Sequence, residues 1–195
     1  AGAPLLISRI TGVIGMTSIP EISQKIDHLI KKYDTRDPFK LCKELKIKVH
    51  YKDLGYALKA FYFYQSRIKN IVINSRSGKI VQRVLCGHEL GHSILHTELA
   101  ALHGFQEIEL FESSVPAEYE ANLFAAELII PDNDLFELLN DKDKTFFSIA
   151  KELYVPAELL DFKFRILKNK GYHLEAPFIA QPNFLKNDIA GYDLD

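Results

Sequence analysis

His88-Glu89-Leu90-Gly91-His92 sets two imidazoles four residues apart, with a carboxylate directly after the first. On an α-helix this spacing puts both rings on one face, about 6 Å apart along the axis, within reach of a single metal ion. Glu89 then lies close enough to take a proton from a water at the metal without filling a coordination position. The chemistry this predicts is that of a zinc hydrolase, with His88 and His92 as ligands and Glu89 as the catalytic base. Val81, Val84, Leu85, His88, His92 and Leu95 recur at helical spacing, so both histidines sit on an apolar stripe and point inward. Apolar residues would fill such a stripe at lower desolvation cost, which argues against two merely structural histidines.

His96 continues the four-residue spacing but does not make a third ligand. It lies about 12 Å from His88 along the axis, whereas Zn–N bonds are only about 2.0–2.1 Å long. It is read instead as a residue supporting the ligands or closing the helix end, where a cation meets the last carbonyls favourably. The longer metzincin pattern is absent, because Leu95 and Glu98 stand where it needs Gly and His.

The third ligand must come from another segment, and the candidate is the stretch from Pro116 to Pro131. Pro116 suits a first helical turn, Pro131 stops the helix, and the residues between are apolar nearly all round. Three glutamates interrupt this buried helix: Glu118, Glu120 and Glu127. Each needs a cation or a metal in such surroundings. Helical angles do not choose cleanly among them. Glu120 and Glu127 share one side and Glu118 lies on the other, while only Glu120 has both an alanine and the aromatic Phe124 above it.

Two blocks together, Cys86-Gly87-His88-Glu89-Leu90-Gly91-His92-Ser93-Ile94-Leu95-His96 and Glu118-Tyr119-Glu120-Ala121-Asn122-Leu123-Phe124-Ala125-Ala126-Glu127-Leu128-Ile129-Ile130-Pro131, resemble the ImmA/IrrE-type metallopeptidases of bacteria, phages and integrative elements. The resemblance covers roughly residues 20–170. It implies a gluzincin-like His-His-Glu zinc site in which the glutamate directly before the Ala-Asn pair is the third ligand. That maps to Glu120, 120 − 92 = 28 residues after His92. Ile129-Ile130-Pro131 replaces the family's more frequent Leu-Met-Pro, a volume-conserving change. The resemblance further implies a cytosolic endopeptidase whose protein substrate is a helix-turn-helix repressor of a phage or mobile element, cleaved to derepress genes.

The surrounding elements can be read coarsely. Ser18-Ile19-Pro20-Glu21 forms a capping box, and Ile22, Ile26, Leu29, Ile30 and Tyr33 give the stripe of a first helix. Asp37-Pro38 opens a second, short one. Residues 46–52 alternate strictly, with Ile47, Val49 and Tyr51 on one face and His50 on the solvent side, as a half-buried strand does. Tyr56 to Gln65 and Ile68 to Asn74, separated by Ser66-Arg67, read as a hairpin. The fold class is thus α+β: a small antiparallel sheet packed on the HExxH helix and a second buried helix, followed by a helical C-terminal region. The expected organisation is an N-terminal extension or expression remnant over 1–19, a metallopeptidase core over 20–131, a helical subdomain over 132–172 and a tail over 173–195. The hairpin is the candidate edge for an extended peptide substrate. No oxyanion stabiliser stands out; Tyr119, His103 and His173 are the possible donors.

Residues 148–160 have helix-turn-helix-like spacing and are followed by Lys163, Arg165, Lys168 and Lys170. Two short packed helices are the commoner explanation, and the formal net charge of −2 leaves no general nucleic-acid footprint. Direct DNA binding is not expected. Cys42 and Cys86 are the only two cysteines, too few for a secreted disulfide framework, which fits a reducing, cytoplasmic compartment. Cys86 is read as a small core residue. The apolar run before Ile19 is broken by Arg9, Gly12 and Gly15 and is too short to span a bilayer. The competing functional class is a non-catalytic regulatory or DNA-binding module in which the histidine site is structural.

Overall fold

Glu21 accepts hydrogen bonds from the backbone N–H (2.8 Å) and the hydroxyl (2.7 Å) of Ser18, and this capping box opens α1, Ile19–Tyr33. The stripe of α1 buries Ile22, Ile26 and Leu29. Asp37 caps α2 (Pro38–Glu44) by accepting from the Phe39 N–H at 2.8 Å. The computed structural model describes residues 16–56, 58–96 and 115–186. Most of the N-terminal extension, His103 and the tail from 187 onward lie outside these described residues.

Three strands follow: β1 (Lys48–Lys52), β2 (Ala60–Gln65) and β3 (Ile68–Asn74), in the order β1-β3-β2. β2 and β3 form the expected antiparallel hairpin, and Ser66 and Arg67 both take left-handed φ (51° and 64°), as a two-residue primed turn requires. β1 runs parallel to β3, from Lys48 opposite Asn70 to Lys52 opposite Asn74. The sheet is therefore mixed, where a wholly antiparallel one was expected. Residues 53–59 carry the chain from β1 across to the far edge, so β3 fills the centre and takes the direction of β1. Spending residues on this crossing, with Gly55 at φ 71°, also delays the start of β2 from Tyr56 to Ala60. His50 is half-buried against Asn70, 3.1 Å away, rather than facing solvent.

The sheet buries Tyr62, Ile71 and Ile73 and packs through β2 and β3 on α3, Lys79–Leu95. Lys69 of β3 reaches the other end of α3, donating to the carbonyl of Ser93 at 2.5 Å. α4 (Val115–Ile129) covers α3 on its other side. With neighbours on both sides, α3 is buried almost all round, beyond the single stripe its periodicity predicts. Two glycines allow the close approach. A Cβ on Gly91 would lie 3.1 Å from Phe124 Cβ and 3.2 Å from Ala121 Cα, and one on Gly87 would meet Ile129 Cδ1 at 3.0 Å. The last carbonyls of α4 accept from arginines, Arg36 reaching Glu127 (2.9 Å) and Leu128 (3.2 Å) and Arg83 reaching Ile129 (3.3 Å). Cys42 and Cys86 meet between α2 and α3 as free buried thiols, Sγ to Sγ 3.8 Å. The neighbouring Cys42 thiol, with burial, pushes the Cys86 thiol far up, so it stays protonated in its core role.

Three further helices, α5 (Asp132–Leu139), α6 (Phe146–Glu152) and α7 (Ala157–Asn169), complete the chain's helical part. α7 packs on α4, and the contact is held by charge. Lys163 is 0% exposed and forms ion pairs with Glu127 and Asp132; Lys170 reaches the same two carboxylates at 2.8 and 2.9 Å. Arg165 binds Asp161 at 2.5 Å and the Ala180 carbonyl at 2.7 Å, with its guanidinium 4.4 Å from the Phe162 ring centre. Three of the four basic residues after the helix-turn-helix-like stretch are thus engaged within the protein. The described part of the tail packs back across α7: the Ala180 N–H donates to Asp161 at 2.9 Å, and Phe184, in a 3₁₀ turn over Phe184–Lys186, stacks on Phe162 at 5.8 Å. The described residues therefore hold seven α-helices and one mixed three-stranded sheet, an α+β fold. Among them no helix is long and apolar enough to cross a membrane.

Candidate metal centre

The helical spacing of His88 and His92 brings their Nε2 atoms to 3.1 Å from each other in the buried contact between α3 and α4. From α4, Glu118 places Oε2 3.3 Å from His88 Nε2. His88, His92 and Glu118 form the one buried group among the described residues whose donor atoms all lie within 4.8 Å of one another. Two bonds of about 2.0–2.1 Å meeting at a tetrahedral angle separate their donor atoms by about 3.3 Å. The observed 3.1 and 3.3 Å spacings fit an ion of that size.

The direction of the His88 ring follows from the far end of a short chain of hydrogen bonds. The Pro182 carbonyl can only accept, and Asn122 Nδ2 donates to it at 2.6 Å. Asn122 therefore turns its Oδ1 toward His88 Nδ1, 2.8 Å away. An oxygen there requires the proton on Nδ1, which leaves Nε2 with a free lone pair facing His92 and Glu118. Glu118 and Asn122 lie four residues apart on α4 and so share the face turned to His88.

Electrostatics favour the binding forms of Glu118 and His92. Burial alone would raise the Glu118 carboxyl, but His88 and Lys186, whose Nζ lies 3.0 Å from Oε1, outweigh it and hold Glu118 below its ordinary range. Burial pushes His92 well below the usual histidine value. An ionised carboxylate and a neutral imidazole are the forms a metal takes up.

Glu120, the glutamate designated by the resemblance, does not join this group. Two residues along a helix turn the side chain through about 200°, so Glu118 and Glu120 cannot both face His88. Glu120 instead points at the end of α3, where its Oε2 lies 3.3 Å from His96 Nε2 and its Oε1 accepts from the Thr17 N–H at 2.9 Å. His96 is buried and stands behind His92, their Nδ1 atoms 3.1 Å apart, in the supporting position expected of it. Glu127 is committed to Lys163 and Lys170. Glu89 is buried beside His88 on α3. Among the possible oxyanion donors, Tyr119 packs against Phe162 at 5.7 Å and His173 is exposed; neither belongs to the cluster. Sequence reading passed over Asn122, although a buried Asn one turn after a buried Glu was a usable signal. Nothing in the tail marks Pro182 or Lys186 in advance.

Comparison with known proteins places the cluster inside a matched domain. The model of the IrrE N-terminal-like domain, Peptidase_M78, matches residues 42–165, a span that contains α3, α4 and every member of the cluster. The chain is 39% identical over 142 residues to an immunity region protein of Bacillus phage phi105, covering 73% of this chain and 88% of that one. It is 28% identical over 147 residues to the metallopeptidase ImmA of Bacillus subtilis (strain 168), covering 73% and 83%. With the HExxH helix, the facing acidic helix and the matched span in agreement, the chain belongs to the ImmA/IrrE family of metallopeptidase-like proteins.

Proposed function

We propose that this protein is a zinc endopeptidase in which His88, His92 and Glu118 hold the metal and Glu89 is the catalytic base. Convergence of two imidazole nitrogens and a carboxylate oxygen within 4.8 Å in a buried contact between two helices carries the reading, because these are the donor types and the spacing that a small divalent cation takes. Zinc, when bound, polarises a scissile carbonyl and lowers the pKa of its water to about 7. Glu89 takes up the proton of the attacking water and returns it to the departing amine, a shuttle suited to a carboxylate adjoining the ligands and shielded from bulk solvent. Asn122 holds His88 in the tautomer that leaves Nε2 free. The edge strand β2, packed on α3, is where an extended substrate adds by backbone hydrogen bonds.

The substrate is a specific protein such as a phage or mobile-element repressor, and cleavage derepresses the genes it controls; the phage immunity-region relative supports this reading. The cytoplasm is where such a substrate would be met. The test is incubation with a candidate helix-turn-helix repressor of the phage or mobile element that carries this gene. Chelator-sensitive, specific fragments are expected from the wild type. Glu89→Gln should keep zinc and lose cleavage, and Glu118→Ala should lose zinc. Undiminished cleavage by Glu89→Gln would end the catalytic reading, and full zinc content in Glu118→Ala would refute the ligand set.

A further inference from the structure

His92 can bind a metal through Nε2 only if its proton sits on Nδ1, yet the group facing Nδ1 is another imidazole, which can donate or accept. His96 Nδ1 is 3.1 Å from His92 Nδ1, and its other nitrogen, Nε2, is 3.3 Å from Glu120 Oε2. All three side chains are buried. A carboxylate accepts and does not donate, so it draws the His96 proton to Nε2. His96 Nδ1 is then bare and accepts from His92 Nδ1–H, and the His92 Nε2 lone pair points at His88 Nε2 and the metal position. Glu120 is itself anchored, because Oε1 accepts from the Thr17 N–H at 2.9 Å ahead of α1.

We infer that Glu120 and His96 are positioning residues for metal binding: the carboxylate sets the tautomer of His96, and His96 sets that of His92. The inference rests on His92 being a metal ligand. It gives the second buried glutamate of α4 a task distinct from coordination, and it makes His96, too far along α3 to reach the metal, a necessary intermediary. The opposite arrangement disables the site. If His96 carried its proton on Nδ1 it would donate to His92, moving the His92 proton to Nε2 and pointing a hydrogen at the metal position.

The two ligand histidines are thus oriented by separate devices. His88 relies on Asn122 and the Pro182 carbonyl. His92 relies on His96 and Glu120. Partners of this kind typically change metal affinity about 10- to 100-fold when removed.

Long-range ¹H–¹⁵N correlation spectra of the metal-free wild-type protein read the tautomers directly. The expected result is His92 protonated at Nδ1 and bare at Nε2, with His96 protonated at Nε2. The isosteric Glu120→Gln variant can donate as well as accept, so its His92 signals should show the Nε2–H form, and its zinc affinity should fall about 10- to 100-fold with unchanged circular dichroism. Glu120→Asp, which keeps the carboxylate, should recover part of the affinity. A wild-type His92 protonated at Nε2 would overturn the inference, as would zinc affinity in Glu120→Gln equal to wild type. Loss of zinc in Glu120→Gln as complete as in His88→Ala would also overturn it, by making Glu120 a ligand. Failure of the wild-type chain to bind zinc would instead remove the metal reading, while the tautomers of the metal-free protein are read independently of that result.

Discussion

Gly91 and Gly87 separate two effects that a glycine-to-alanine change usually mixes. Both lie inside α3, where alanine favours the helix over glycine by about 0.8–1.0 kcal/mol. At Gly87 the nearest obstacle is Ile129 Cδ1 at 3.0 Å, the end of a side chain that can turn, and the next is at 3.6 Å. At Gly91 the new methyl would meet Phe124 Cβ at 3.1 Å and Ala121 Cα at 3.2 Å, atoms fixed to the backbone of α4, so the two helices must move apart. Overpacking of that kind costs about 1–3 kcal/mol. Against the gain in propensity, Gly91→Ala should be destabilised by about 0–2 kcal/mol, and Gly87→Ala should be neutral or slightly stabilised. For a domain of this size each kcal/mol moves Tm by roughly 2–4 °C. The separation also draws Glu118 and Asn122 away from His88, since both ride on α4. Thermal and urea unfolding of the metal-free variants, followed by zinc titration, checks both parts. Equal stability of the two variants together with wild-type zinc affinity in Gly91→Ala would refute the argument that this close approach sets the site.

The charged contact between α4 and α7 gives a second prediction: Lys163→Met leaves the buried Glu127 with Lys170 as its remaining lysine partner and should cost about 3 kcal/mol in urea unfolding, the low end for breaking a buried pair. Lys163→Met/Glu127→Met should recover much of that loss, and a single variant as stable as wild type would contradict it. The same pair sets an acid dependence. Burial alone would raise Glu127, but Lys163 and Lys170 outweigh it and hold its carboxyl below the ordinary range. The unfolded chain therefore binds the proton more readily, so this contribution is complete above about pH 4.3 and is lost as pH falls through the lower native value. Wild type should accordingly lose stability more steeply than the double variant below about pH 4.3, and parallel pH profiles would count against the assignment. Finally, with Lys163, Arg165 and Lys170 each paired with carboxylates of the protein itself, the protein should show no salt-dependent affinity for duplex DNA. A falling log K against log salt would restore the DNA-binding alternative.

The parts of this molecule legible in its sequence are those set by local geometry. The i, i+4 histidines, the Ser18–Glu21 capping box, the Ser66-Arg67 turn and the buried helix ending before Pro131 depend on contacts a few residues long, and each is found where its spacing puts it. The choice among Glu118, Glu120 and Glu127 is of another kind. All three are buried acids on one helix, and which of them meets His88 depends on the angle and rotation at which α4 crosses α3. The glycines at 87 and 91 and the arginine-capped end of α4 decide that crossing, and neither is a property of the acidic helix itself. The same limit applies to the sheet. Strand periodicity identifies β1, but its parallel pairing with β3 follows from the path of residues 53–59. The pairing of the basic residues after residue 160 is hidden in the same way, because sequence spacing does not place the Glu127 and Asp132 side chains opposite them.

The two nitrogens that orient the ligand histidines depend on opposite ends of the described chain. Behind His92 the chain of partners ends at the Thr17 N–H, just ahead of α1, and behind His88 it ends at the Pro182 carbonyl in the tail. The HExxH segment on its own would offer two imidazoles with unfixed tautomers. On the proposed tautomers, each ring presents a bare Nε2 only when α1 and the tail have docked, and high metal affinity would then belong to the native state and not to the motif. Affinity for the native state alone then acts as stability: zinc at 1,000 times its dissociation constant would add about 4.1 kcal/mol to folding. In this chain a site that reads as a five-residue signature would therefore report on the docking of α1 and the tail as well.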